Sequence, residues 1–328
     1  MKKVLILGKG KIGQAVGHYL TKKAISEIAF FSNGIKIKNY DLLIGALPGK
    51  IGEKSWRLAL KYKKDLIDIS DLDPEDYLKF GKEAKKRKIT IIPECGFSPG
   101  LTNLICGSEA RKIKIKEIEI EAGTISKTKF FFPFTWCFKD LILGHRLEVS
   151  LIKGGRKIKL PPFSGYRKEK IEGIERESYL SEGLSSLPST LKVKNISYRT
   201  LRPLGFYYFY KFLENYGFFK KENIDFTRRT LENKKEDNLT LALIKILTKN
   251  KKILWRIKSF SKKDEKLNSI QKIAGLVPAV VVKLLLENKI KDKGILFMEE
   301  MGENRKLFEE ILREIKEEKS LSFFRKKL

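Results

Sequence analysis

The chain has 328 residues and a formal charge of +29, from 69 Lys+Arg against 40 Asp+Glu. That length suits about two domains, and 42% hydrophobic residues with 21 Phe can fill real cores, which excludes wholesale disorder. No run of about 18 uncharged apolar residues is present, so no membrane-spanning helix is expected, and the apolar run behind Met1-Lys2-Lys3 stops at Leu7, too short for a signal sequence.

Residues 3–7 form a short apolar run ended by glycine and read as a buried strand. A helix is expected over 12–23, with Ile12, Val16 and Leu20 on one face. Strands at 28–31 and 41–47, a helix over 51–63, a strand at 66–70, a helix over 74–87 and a strand at 89–92 continue the alternation. Strands alternating with helices mean a parallel sheet covered on both faces. Near Arg111 the rhythm changes. Residues 113–120 alternate apolar and charged at period two, the mark of a half-exposed strand. Strand-like segments recur at 147–153, 156–160, 195–200, 239–247 and 251–258, with aromatic-rich stretches at 130–138 and 206–210 between them. This predicts a second domain on a mixed or antiparallel sheet. Helices return at 267–288 and 302–318, and the basic tail over 323–328 is expected to fray.

The charge invites a nucleic-acid partner, yet it is spread. Residues 1–110 hold 20 Lys+Arg against 12 Asp+Glu, and the remainder 49 against 28. Lysines interleaved with apolar positions describe a solvated surface better than a focused stripe, so nucleic acid is not the expected partner. Three cysteines, Cys95, Cys106 and Cys137, make no disulfide framework and no C-x-x-C metal pair, which fits a reduced, cytoplasmic enzyme without a metal.

Gly8-Lys9-Gly10-Lys11-Ile12-Gly13 is a G-x-G-x-x-G that follows a predicted strand and opens a predicted helix, the context in which this weak pattern becomes credible. Gly8 permits the tight turn, Gly10 lets the backbone approach a pyrophosphate, and Gly13 lets the helix pack close. The helix N-terminus offers free N–H groups to the phosphates. An acidic residue for the ribose 2′-OH is expected about 20 residues on. The sequence there is Phe31-Ser32-Asn33-Gly34, without a carboxylate and followed by Lys36 and Lys38. Those cations suit a 2′-phosphate, so NADP(H) is favoured, with NAD(H) possible. Residues 33–40 are also too few for a helical crossover, which trims the adenine side.

Three further stretches carry chemistry. Asp68-Ile69-Ser70-Asp71 ends a strand and precedes a helix holding Tyr77. Strand C-terminal ends are where open α/β sheets bind ligands, although acids also favour helix N-termini for structural reasons. Glu94-Cys95-Gly96-Phe97-Ser98-Pro99-Gly100-Leu101-Thr102-Asn103 follows another strand, with Ser98 read as an N-cap and Pro99 as the first helical residue. Thr200-Leu201-Arg202-Pro203-Leu204-Gly205 follows a strand of the second domain, and an arginine there could clamp a carboxylate or simply lie on the surface.

At these residues, and at Ala46-Leu47-Pro48-Gly49-Lys50, Phe134-Thr135-Trp136, Ser185-Ser186-Leu187-Pro188-Ser189-Thr190 and Ala274-Gly275-Leu276-Val277-Pro278-Ala279, the chain resembles the saccharopine dehydrogenase-like family. That group includes saccharopine reductase, lysine 6-dehydrogenase and carboxynorspermidine dehydrogenase. The resemblance implies an α/β chain: an N-terminal Rossmann-like parallel sheet (1–110), an inserted α+β substrate and dimerisation domain (111–265), and C-terminal helices (266–328) returning to the Rossmann part. It also implies hydride transfer between a nicotinamide and a C–N bond of a small amino-acid substrate, in a homodimer. Phe206 stands where the family often has His, and Cys137 where it often has Ser.

Only two histidines occur, His18 and His145, neither beside the motifs above. Chemistry resting on a His–Asp pair or a catalytic zinc is therefore not expected, whereas imine reduction needs mostly orientation and electrostatics. The candidate catalytic side chains are Asp71, Tyr77 and Cys95. Ser70, Gly96, Phe97, Ser98 and Arg202 are the candidate substrate contacts. The candidate cofactor contacts are Gly8, Gly10, Lys11, Ile12, Gly13, Ser32, Asn33, Ala46, Leu47 and Pro48. The alternative is a dinucleotide-binding sensor or scaffold without catalysis.

Overall fold

The computed structural model describes residues 2–70, 72, 74–126, 136–171, 173–232 and 236–327. The chain opens with β1 (Lys3–Leu7), buried over its last four residues as a central parallel strand covered on both faces must be. Then come α1 (Lys11–Lys22), β2 (Glu27–Phe30), β3 (Leu42–Gly45), α2 (Glu53–Tyr62), β4 (Asp65–Asp68), α3 (Pro74–Lys86), β5 (Thr90–Ile92) and α4 (Thr102–Ala110). The short link between β2 and β3 holds only the 3-10 turn Ile37–Asn39 where a crossover helix would otherwise stand. Trp56, Tyr77 and Phe80 join Leu5, Leu43 and Leu66 in the core on one side of the sheet.

The second stretch contains β6 (Glu117–Ser126), α5 (Phe138–Gly144), β7 (Val149–Lys153), β8 (Arg156–Leu160), β9 (Arg167–Ile171), β10 (Ile174–Leu180), α6 (Leu187–Thr190), β11 (Asn195–Pro203), α7 (Phe206–Asn215), α8 (Ile224–Glu232), β12 (Asn238–Leu247) and β13 (Lys252–Ser261). Its sheet is mixed: β11 runs parallel to β6, while β12 runs antiparallel to it. The aromatic-rich stretches around Phe138 and Phe206 fill one core, where Phe163, Tyr179, Phe206 and Tyr210 meet. Strand β9 has no periodicity to announce it, because Arg167-Lys168-Glu169-Lys170-Ile171 is almost wholly charged; its pairing with β10 makes it a strand.

The chain ends with α9 (Ser269–Leu286), β14 (Gly294–Ile295), α10 (Met298–Glu303), α11 (Arg305–Lys316) and β15 (Leu321–Lys327). Helix α9, which holds Lys272 and Lys283, is long and apolar enough to cross a membrane by length and composition alone, and 83% of it is buried inside the protein. The absence of a side chain at Gly275 lets it approach α1, since a Cβ there would stand 2.7 Å from that of Ala15. The single helix expected over 302–318 is two, because Asn304 leaves helical geometry and caps α11, accepting from the amides of Lys306 and Leu307. Nor does the tail fray. As β15 it pairs antiparallel with β13, Arg325 sits over Trp255 and Arg256 over Phe324, and its exposed lysines suit an edge strand.

The fold is α/β, with two sheets. The first is six-stranded and wholly parallel, in the order β14-β5-β4-β3-β1-β2; the second is nine-stranded, in the main order β15-β13-β12-β6-β11-β10-β9, with β7 on β11 and β8 on β7. Two compact units follow: Met1–Lys114, Ser185–Leu191 and Gln271–Glu318 make the first, and Ile115–Leu184, Lys192–Ile270 and Lys319–Leu328 the second.

Candidate functional site

In the first unit the chain passes from β1 to β2 on one side and then crosses back to β3 on the other side of β1, so the strand order reverses between β1 and β3. Ligands bind at the carboxyl ends of strands at such a switch point. Gly8 closes β1 there with φ +135°, and a Cβ on it would overlap the Ala46 carbonyl. The Ala46 amide in turn donates to Leu7 O at 2.9 Å, which ties the 46–48 turn to the glycine turn. A Cβ on Gly13 would strike the Gly8 carbonyl, so α1 can start so close to β1 only with glycine at this position. Gly10 is different: a Cβ there would meet nothing within 4 Å. Gly10 is the N-cap of α1 without a side-chain cap, and no acid occupies the first turn. Uncapped amides over open backbone form an anion site, so these residues fit a dinucleotide pyrophosphate. Lys11 and Ile12 lie in the first turn of α1, and Leu47 and Pro48 continue the loop from Ala46. Ser32 and Asn33 are exposed just past β2, with Lys36 and Lys38 exposed beyond them.

Beside this, the ends of β4 and β5 carry a buried polar group. Asp68 is fully buried, accepts from Trp56 Nε1 at 2.8 Å and Ser70 Oγ at 2.5 Å, and faces Gly45 so closely that any Cβ there would overlap its carboxylate. Burial raises its carboxyl to about 7, against the opposing pull of the Ser70 and Trp56 hydrogen bonds. Asp71 lies outside the described residues. Cys95 is fully buried, its amide donating to Asp68 O at 2.8 Å; burial first, and the Asp68 charge second, push its thiol far above the usual range, so it stays protonated. Tyr77 does not join these groups as a surface hydroxyl. Its ring stacks on Trp56 at 5.2 Å in the core, and its OH donates to Leu72 O.

The Glu94-to-Asn103 run does not form the predicted N-cap. Ser98, Pro99 and Gly100 are non-helical, Gly100 has φ +124°, and α4 starts only at Thr102. The reason is steric: the turn folds back so that a Cβ on Gly100 would crowd Glu94 O, while Leu101 N donates to Gly96 O at 3.0 Å. Phe97 and Gly96 are buried in this turn, and Ser98 Oγ accepts from Thr102 Oγ1. Sequence reasoning missed what fixes it. Ser185 donates to the buried Glu94 carboxylate, Asn103 Nδ2 reaches Ser185 Oγ at 3.3 Å and Glu299 at 3.4 Å, and Thr190 Oγ1 donates to Glu299 at 2.6 Å. The Ser185-to-Thr190 segment, distant in sequence, belongs to the same unit as this turn. The signal available was the two motifs' presence together; their contact was not readable.

Arg202 lies in the second unit, near the end of β11. It is 6% exposed, its guanidinium stands 5.3 Å over the Phe206 ring, and Nη1 donates to Leu201 O. Its Nε is buried with no hydrogen-bond partner, and among the described residues no carboxylate pairs with it. Glu177, directly across the β10–β11 ladder, accepts instead from the amides of Gly205 and Tyr207 and from Tyr166 OH. A guanidinium largely removed from water, with an N–H that no protein group satisfies, has the chemistry to bind an anion. Among the described residues no group of three His, Cys, Asp or Glu could hold a metal.

A parallel sheet with a glycine turn at its switch point and an uncapped helix beyond it defines a Rossmann-like dinucleotide-binding unit, here continued by a unit on a mixed sheet. Residues 96–321 match the saccharopine dehydrogenase C-terminal domain family, and the chain belongs to it. It is 23% identical over 213 residues to the saccharopine dehydrogenase (NADP(+), L-glutamate-forming) of Pyricularia oryzae, an alignment covering 60% of this chain and 47% of that protein. The chain thus spans about half the length of the curated relative it matches. The fold is that of the apo saccharopine dehydrogenase (L-Glu forming) from Saccharomyces cerevisiae, with a TM-score of 0.78 at 15% identity and full coverage of both chains.

Proposed function

We propose that this protein is an NAD(P)-dependent oxidoreductase acting on a C–N bond of an amino acid of the saccharopine, lysine or carboxynorspermidine type, with NADP(H) favoured. The observation that carries the reading is Arg202, a buried guanidinium whose Nε has no hydrogen-bond partner, in a chain whose other unit holds a glycine turn suited to a dinucleotide. The likeness to a protein named for NADP(+) and saccharopine supports both the cofactor and the substrate class.

The nicotinamide supplies the hydride donor or acceptor when bound. The chain's own residues bind and orient. The α1 amides and the open backbone at Gly10 hold the pyrophosphate, and Arg202 holds a substrate carboxylate through paired N–H bonds. A protonated imine carbon is already electrophilic, so positioning contributes most of the rate. Asp71, directly after Ser70, is the proton-handling group assigned; Asp68, with a carboxyl raised to about 7, holds Ser70 in place. Tyr77, committed to the core, takes no step, and Cys95 contributes a neutral wall. The proposed assembly is a homodimer, and a sedimentation mass of one chain overturns that part.

The test is a turnover screen over saccharopine, lysine and carboxynorspermidine with both cofactors, read at the nicotinamide absorbance. NADP-dependent turnover of one of them is the expected result. Binding of NADPH without turnover of any supports the sensor alternative, and failure to bind NADPH or NADH in a fluorescence titration overturns the enzyme reading.

A further inference from the structure

The turn that follows β5 is held at both ends through one hydroxyl. Glu94, at its start, is buried, and its carboxylate accepts from Ser185 Oγ. Gly100, at its end, donates its amide to Asn103 Oδ1 at 3.4 Å, and Asn103 Nδ2 donates to the same Ser185 Oγ at 3.3 Å. Asn103 Nδ2 also reaches Glu299, so both ends of this amide find the partner type they need. Ser185 thus closes a brace across the turn, although 82 residues separate it from Asn103. The segment Ser185–Leu191 belongs to the first unit while the chain on either side of it belongs to the second. Glu94 (φ +51°) and Ser185 (φ +56°) both hold a left-handed backbone without being glycine. Strain of that kind persists only where the surroundings over-determine it, and it concentrates at functional sites.

The sheet of this unit is wholly parallel, so the carboxyl ends of β1, β3, β4 and β5 share one edge. Neighbouring strands lie about 4.8 Å apart, which puts the end of β5 about 14 Å from that of β1, on the side away from β2. A dinucleotide with its pyrophosphate at the β1 turn and its adenosine half toward β2 directs its nicotinamide half toward β4 and β5. We propose that Ser185 is a positioning residue for that nicotinamide: by joining Glu94 to Asn103 it fixes the 95–100 turn against which the ring packs. This rests on the reading of the glycine turn as a dinucleotide site. Hydride transfer needs the reacting atoms held about 3–3.5 Å apart, and a turn tied at both ends supplies a fixed wall for that. The Cys95 amide, donating to Asp68 O at 2.8 Å, anchors the same turn to the end of β4.

The test uses the full chain with NADPH, and with NADP+ plus L-saccharopine. Ser185→Ala removes only the oxygen. The fluorescence lifetime of bound NADPH should shorten toward that of the free cofactor. Its Kd should stay within about twofold of the parent, because the pyrophosphate rests at β1, three strand positions from β5. For saccharopine, kcat should fall at least about tenfold, since a misplacement of about 1 Å can cost about a hundredfold. Ser185→Gly removes the same oxygen but relieves the left-handed backbone. Lifetime and kcat should fall there as in Ser185→Ala, while the melting temperature stays higher, which separates position from stability. Glu94→Ala, which removes the acceptor, should match Ser185→Ala. A parental lifetime in both Ser185 variants overturns the inference, and so does a Kd that rises in step with the loss of kcat. If saccharopine is not turned over, the lifetime decides alone. A parent that binds no NADPH overturns the dinucleotide reading itself, whereas a parent that binds it beside variants of parental lifetime overturns only the role of Ser185.

Discussion

The two units prepare for their ligands by opposite means. In the first, the cradle at the switch point is made of backbone: Gly8, Gly10, Gly13 and the Ala46 carbonyl, with the side chains that would intrude deleted. In the second, the proposed carboxylate clamp is made of side chains: Arg202 on β11, its guanidinium over the ring of Phe206 at the start of α7. A backbone site needs glycines at fixed local spacing and little else. A side-chain site needs a completed sheet before its members meet. The first therefore tolerates no Cβ at certain positions, and the second tolerates no loss of a polar atom.

The largest effect should come from breaking the backbone site sterically. Gly8→Val places a branched Cβ at φ +135° against the Ala46 carbonyl; strain of this kind costs about 1–3 kcal/mol before any clash is counted. NADPH binding should vanish and the melting temperature fall by several degrees. Gly10→Val is the control, since nothing lies within 4 Å of that Cβ and the N-cap φ is −71°. It should fold as the parent does yet bind NADPH at least tenfold more weakly, because the side chain occupies the anion's approach. Parental NADPH affinity in Gly10→Val removes the pyrophosphate from this turn.

Breaking the side-chain site comes next. Arg202→Ala should raise KM for the amino-acid substrate by roughly two orders of magnitude, in line with about 2–5 kcal/mol for losing one partner of a buried charged pair. NADPH affinity should not move, and the apoprotein should become no less stable, since Arg202 has no anion to lose. A marked loss of stability would show instead that Arg202 is structural.

Each unit also buries a titratable group, Asp68 in the first and His145, just past α5, in the second, and the two act on stability with opposite sign, which a profile against pH can separate. Asp68 goes from 3.8 to about 7 on folding, so its contribution is fully present below pH 4 and is lost as pH rises toward 7. His145 goes from 6.5 to about 3, so its contribution is fully present above pH 6.5 and is lost as pH falls toward 3. Between pH 4 and 6.5 the two slopes, each about 1.4 kcal/mol per pH unit at most, oppose one another. Relative to the parent, Asp68→Asn should lose stability more steeply on acidification through that window. His145→Gln should lose it more steeply as pH rises. Parallel profiles for parent and both variants would show that neither group is buried as described.

The same contrast explains what could be read from residues alone. The β1–turn–α1 unit was legible because apolar period, glycine spacing and strand-to-helix order all lie within some twenty residues, and the parallel sheet followed from the alternation. Arg202 stood out through its motif, but the hydrogen bond between His145 and Tyr179 did not, since only the folded chain brings those two residues together. Local signals misled where tertiary contacts override them. Ser98-Pro99 has the composition of a helix start, yet Gly100 must fold back over Glu94. The tail has the composition of a frayed end, yet β13 offers it an open edge. Tyr77 has a polar tip suited to proton transfer, yet α3 turns it into the core beside Trp56.

The smallest effect tests the one part of the cradle that rests on side chains. Lys36 and Lys38 are exposed beyond β2, where no carboxylate follows the strand. Exposed charges contribute about 0–1 kcal/mol each and are screened by salt. The double variant Lys36→Ala with Lys38→Ala should therefore weaken NADPH binding by only about three- to tenfold at low salt, and less at 0.5 M salt, on that same scale. NADH, with no 2′-phosphate, should bind the variant as it binds the parent. Fluorescence titrations with both cofactors at two salt concentrations measure this. A variant that loses NADPH and NADH affinity equally would place the lysines in the fold of the β2–β3 link. One that loses neither would overturn the preference for NADP(H) drawn from this region and leave the cradle a backbone site throughout.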